Sequence, residues 1–91
     1  MNNLPQKKNL TVVQLHIDKA FKIIDKHLPV TYVDKVLEKL PKGNKATKTI
    51  IQNIRQKKSK ASSNLEVFNA IVEVAVEHKR AQNKLERLLN F

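Results

Sequence analysis

The sequence predicts an all-α fold, a small four-helix bundle with a long C-terminal helix, on three observations. Apolar residues recur at three- and four-residue spacing along most of the chain. One glycine and three prolines leave few places to turn, so helices should be few and separated by few breaks. No segment alternates apolar and polar residues over the length of a strand. With 91 residues the chain is one domain with one modest core.

The elements follow in order. Residues 1–9 are polar, with Pro5 and the pair Lys7–Lys8, and read as a loose arm. A first helix over 10–28 has Leu10, Val13, Ile17, Ala20, Phe21, Ile24 and Leu28 as one stripe, with Asn9 or Thr11 to cap it. Pro29 stops it, because the residue before a proline is pushed out of helical geometry. Thr31 opens a second helix with Asp34 as a partial capping box and Tyr32, Val33, Val36, Leu37 and Leu40 inside. Pro41, Gly43 and Asn44 close it. A third helix spans Thr47 to Lys58, with Ile50, Ile51 and Ile54 as a thin inner edge and Lys57–Lys58 at the negative pole of its dipole. Ser63 and Glu66 form a capping box for a last helix over 64–90, whose stripe includes Leu65, Phe68, Ile71, Val72 and Ala75. A heptad spacing runs along it through Val67, Ile71, Val74, His78, Ala81, Leu85 and Leu88. Leu85, Leu88 and Leu89 lie too far along to share the core of the short helices. They pack on the long first helix or on a second copy of the chain, which makes a homodimer through these leucines an expected partner.

Charge is concentrated in one stretch. Between Glu38 and Glu66 there is no acidic residue, while Lys39, Lys42, Lys45, Lys48, Arg55, Lys57, Lys58 and Lys60 all fall there, against a net charge of +10 for the chain. An idle surface helix usually mixes signs, so this bias points to a polyanion. The third helix turns Lys45, Lys48, Thr49, Gln52 and Gln56 away from its isoleucines, with Asn53 and Arg55 at the edges, and Thr49, Gln52, Asn53 and Gln56 are of the side-chain types that read base edges in a major groove. Lys42, Lys45, Lys48, Arg55, Lys57, Lys58 and Lys60 fringe it as phosphate contacts, which supply affinity without sequence information. The expected partner is double-stranded DNA and the expected role a small transcriptional regulator. Two other readings stand beside it: an interaction module or inhibitor docking its basic face on an acidic protein, and an architectural nucleic-acid binder without sequence preference. Duplex RNA, met by shape and phosphates, also fits the charge but ranks below DNA, and stacking on single strands is disfavoured because the four aromatics mostly sit on apolar stripes.

The segments YVDKVLEKL, TKTIIQNIRQKK and NLEVFNAIVEVAVEHK, in that order around a turn, resemble the helix-turn-helix of the lambda-repressor/Cro-like (Xre-type) DNA-binding proteins over about residues 30 to 79. The resemblance implies that Tyr32–Leu40 braces the DNA backbone, Thr47–Lys58 enters the major groove and Leu65–His78 packs behind. It also implies a dimer reading two half-sites about one DNA turn apart. The connection Pro41 to Ala46 is several residues longer than that family's tight turn, and Val36 or Leu37 stands where a small residue is usual.

Other chemistry finds little footing. Cysteine is absent, which removes disulfides, thiol catalysis and cysteine–zinc sites. His16 and His27 lie far apart on the first helix and His78 on the last, without metal-ligand spacing, so no metal or cofactor is expected. Asp18 and Asp25, with Lys22 between them, read as a solvated helix face. No Gly-rich phosphate loop or nucleophile elbow is present, and no enzyme activity is expected. No apolar run approaches the roughly 20 residues of a membrane span, and the first residues lack a secretory signal. The expected location is cytoplasmic, at the nucleoid if DNA is the partner.

Overall fold

The computed structural model describes residues 4–90, with side chains from His16 onward. It is all-helical, and no strand occurs among the described residues. Four α-helices, α1 (Leu4–His27), α2 (Tyr32–Lys39), α3 (Lys48–Arg55) and α4 (Leu65–Leu89), follow in order, with one 3-10 turn at Ala61–Ser63 before α4.

Helix α4 is the spine. Val67, Phe68, Ala70, Ile71, Val74 and Ala75 are buried on one face, and α1, α2 and α3 all pack there. The core closes with Phe21 and Ile24 from α1, Val36 from α2, and Ile51 and Ile54 from α3. Phe21 and Phe68 meet at a ring-centroid distance of 5.2 Å with planes tilted by 48°, within the range aromatic pairs prefer. The α2 stripe behaves as expected: Val36 is buried and Tyr32, Val33, Leu37 and Leu40 pack partly buried around it.

Several expectations on boundaries and caps are corrected. The first helix begins at Leu4, so residues 4–9 are helical rather than a loose arm, and Asn9 and Thr11 lie inside the helix instead of capping it. Residues 1–3 lie outside the described chain, as do the side chains of Leu10 and Val13. Thr31 precedes α2 without a side-chain cap bond. The N-cap of α4 is Asn64, whose side chain accepts from the Val67 amide at 3.3 Å. Ser63 instead donates to the Lys60 carbonyl at 2.6 Å inside the 3-10 turn. Glu66 is taken by Asn44, so the Ser63–Glu66 capping box does not form. Ile50 and Leu65, assigned to the core stripes, are 39% and 51% exposed. In an eight-residue helix two buried isoleucines suffice, and the third turns to the rim.

His78 meets the end of α1. Its Nδ1 lies 2.7 Å from the His27 carbonyl, one of the orphan acceptors of the last helical turn, while the His27 ring meets Gln82 at 3.2 Å. His78 is thus a helix-end partner on the bundle stripe, and no group of three or more potential metal ligands exists among the described residues. No helix among the described residues is long and apolar enough to cross a membrane.

Candidate nucleic-acid interface

Helix α3 is short because both of its ends are fixed by local chemistry. At the start, the Thr47 hydroxyl accepts from the Ile50 amide at 3.3 Å. At the end, the Lys57 amide donates to the Ile54 carbonyl at 3.1 Å and the Lys58 amide to the Asn53 carbonyl at 2.8 Å. That pair of bonds is a Schellman closure, with Lys57 in the left-handed position that glycine usually fills, at φ 65°. The helix therefore stops at Arg55 rather than Lys58, with Gln56 as its C-cap.

The long connection from α2 is pinned rather than loose. The Asn44 amide donates to the Pro41 carbonyl at 2.9 Å, closing a turn over Lys42 and Gly43. The Asn44 side chain then accepts from the Ala46 amide at 2.8 Å and donates to Glu66 at the start of α4. One residue thus ties the approach of α3 to the spine.

The proposed base-reading residues divide. Thr49, Gln52 and Gln56 are exposed together on the outer side of α3, whereas Asn53 is half-buried at its edge. Val30 and Thr31, from the α1–α2 corner, border the same surface. With Val33, Asp34, Lys48 and Gln52 they line a depression of about 210 Å3. Val30 is 96% exposed, and sequence reasoning missed it. Its only signal was a bulky apolar residue set between Pro29 and Thr31 in a turn.

The cations divide as well. Arg55 does not project outward: its Nη1 lies 2.8 Å from Asp25 Oδ1 on α1. Lys39 reaches from α2 to Glu77 at 2.6 Å, with Glu73 at 4.0 Å, and the bond to Glu77 raises its pKa above the ordinary 10.5. The ammonium of Lys57 sits 4.7 Å from the centroid of the Phe21 ring. Lys42, Lys45, Lys48, Lys58 and Lys60 are exposed, and with Lys57 they have no acidic partner among the described residues. Six cations therefore surround α3 without an ion pair among the described residues, Lys42 and Lys45 before it, Lys48 in its first turn, and Lys57, Lys58 and Lys60 beyond it. Comparison with protein-family models, with curated proteins and with solved structures finds no match for this chain.

Proposed function

We propose that the chain binds double-stranded DNA, with α3 laid in the major groove, as a small sequence-specific regulator of the helix-turn-helix kind. The observation that carries this reading is the join of two features on one short helix. An exposed polar face of Thr49, Gln52 and Gln56 is bracketed at both ends by six lysines without acidic partners. Eight residues give a helix about 12 Å long, the scale of a major groove about 12 Å wide. The bracketing lysines lie where phosphates flank a groove-bound helix, and the exposed amides offer the paired donor and acceptor that adenine presents. Half-buried Asn53 and ion-paired Arg55 move from base and phosphate contact to support of the helix. The resemblance to lambda-repressor/Cro-like proteins points the same way, with α2 as the bracing helix and α4 behind. The basic face also suits an acidic protein or duplex RNA. The exposed amides favour DNA, because a purely electrostatic surface has no use for them.

Selection of bound sequences from a random duplex pool tests this. A recovered motif is the expected result, with log affinity falling against log salt at a slope of about −5 if all six lysines reach phosphates. Binding without a motif would leave an architectural role, and no binding at about 50 mM salt would sink the DNA reading.

A further inference from the structure

Helices α1 and α2 meet at a corner whose tip is an exposed valine. The Tyr32 amide donates to the Pro29 carbonyl at 3.2 Å, closing a turn over Val30 and Thr31. Thr31, at φ −87° and ψ 24°, comes close to the second central residue of a type I turn, which makes Val30 the first. That position leaves Val30 96% exposed. Lone apolar side chains are ordinary on a protein surface. Val30 is not alone, because Val33 lines the same depression of about 210 Å3, together with Asp34 from α2 and Lys48 and Gln52 from α3. Two valines thus border the polar face of Thr49, Gln52 and Gln56.

The lining decides what this depression can take. A phosphate gains nothing from two valines and is repelled by the Asp34 carboxylate, so the sugar–phosphate backbone is a poor occupant. A base edge carries no net charge, and thymine is the base that adds a methyl group to its polar atoms in the major groove. Glutamine is the side chain that pairs with N6 and N7 of adenine, which is thymine's own partner. An A·T pair therefore presents, side by side, an apolar group for Val30 and a donor and acceptor for Gln52. We propose that Val30 reads the 5-methyl group of a thymine whose adenine is held by Gln52, so that the α1–α2 corner shares with α3 in setting sequence preference. The proposal rests on the DNA reading above and adds to it a contact from outside the groove-bound helix. Because the turn over Val30 is already closed by its own hydrogen bond, the contact costs little ordering.

Val30 lies outside the core, so Val30→Ala should fold as the native chain does, which circular dichroism checks. In the motif recovered by selection, each thymine is replaced in turn by deoxyuridine, which keeps the pairing with adenine and lacks only the 5-methyl group. At one thymine the native protein should lose roughly fourfold in affinity, the worth of one buried methyl group. Val30→Ala should bind the thymine and deoxyuridine versions alike, and Gln52→Ala should relax base preference at that same pair. A 5-methylcytosine·guanine pair placed there keeps the methyl group and removes the adenine, and should bind more weakly than the thymine site. Four results overturn the proposal and leave the DNA reading standing: a motif without thymine, indifference to every deoxyuridine, a loss that persists in Val30→Ala, or equal binding of the 5-methylcytosine site. Failure of the native protein to bind any duplex overturns both, and it shows before any variant is made.

Discussion

Arg55 turns away from the proposed DNA surface to meet Asp25, its Nη1 2.8 Å from the carboxylate oxygen. The contact links the end of α3 to α1 across 30 residues of sequence, and both side chains keep partial exposure. A pair of this kind is worth about 0–1 kcal/mol. Asp25→Ala and Arg55→Ala should each destabilise the fold by no more than about that amount, with a double-mutant cycle returning a coupling of similar size. Denaturant unfolding checks it, and a coupling well above about 1 kcal/mol would mean that the pair is held more tightly than partly exposed ion pairs are.

If DNA is the partner, Lys48 and Gln52 should behave differently although they border one depression. Lys48→Ala should weaken every duplex alike and reduce the salt slope by about one. Gln52→Ala should change sequence preference and cost about 1–3 kcal/mol on the preferred site only. Titrating matched and mismatched duplexes at two salt concentrations separates the two. Lys57 is a poorer phosphate probe, because its ammonium also sits on Phe21 and its loss acts on the fold.

The fold was legible where the argument rested on periodicity. The stripe Phe21, Ile24, Val36, Ile51, Ile54, Ile71 and Val74 is the core, because only these spacings place several helices on one spine. The corrections fall where two residues compete for one local role. Ser63 and Asn64 both suit an N-cap, and Asn64 takes it because Ser63 is drawn into the 3-10 turn by Lys60. The end of α3 falls short of the expected Lys58 because glycine is the usual signal of a Schellman closure and Lys57 stands in its place. For the candidate interface, composition located the basic helix. The withdrawal of Arg55 to Asp25 and the approach of Val30 depend on tertiary geometry, which no local pattern carries.

That closure at Lys57 carries a prediction of its own. A non-glycine residue in the left-handed region costs about 1–2 kcal/mol, and here the ammonium over Phe21 offsets part of it by about 0.5–1 kcal/mol. Lys57→Ala keeps the strained backbone and loses the ring contact, so it should destabilise. Lys57→Gly loses the contact but relieves the backbone, and should be more stable than the alanine variant by roughly 1 kcal/mol. Comparing the two melting curves decides the matter, and alanine equal to glycine would mean that position 57 leaves the left-handed region in solution.

The connection before α3 gives a paired expectation at Asn44 and Gly43. Asn44 accepts from Ala46 and donates to Glu66, so Asn44→Ala should cost about 1–2 kcal/mol and loosen the placement of α3. Gly43 is neither in the left-handed region nor within 4 Å of anything that an added Cβ would meet. Gly43→Ala should therefore stabilise by about 0.4–1 kcal/mol, through a less flexible unfolded chain. Urea unfolding of both variants tests the pair, and a destabilised Gly43→Ala would mean that the turn needs conformations only glycine reaches.

Tyr32 offers a spectroscopic check on the packing of α2, because the chain has one tyrosine and no tryptophan. Partial burial raises its pKa above the ordinary 10.0, and the nearby positive charge of Arg55 opposes that rise. A raised value means that the folded state holds the phenolic proton where the unfolded chain has begun to lose it. Stability owed to this group is then fully present below about pH 10 and falls as pH rises toward and through the folded value. Lys39 acts with the same sign, since its bond to Glu77 raises its pKa above 10.5 and its contribution is lost as it deprotonates. Absorbance near 295 nm should show Tyr32 titrating above 10.0 in native protein and near 10.0 in denaturant, with unfolding stability declining over the same alkaline range. Asp25→Ala provides the control. Releasing Arg55 from its carboxylate leaves more uncompensated positive charge beside the ring and should draw the midpoint back down, whereas an unchanged midpoint would mean that Arg55 does not sense the phenol.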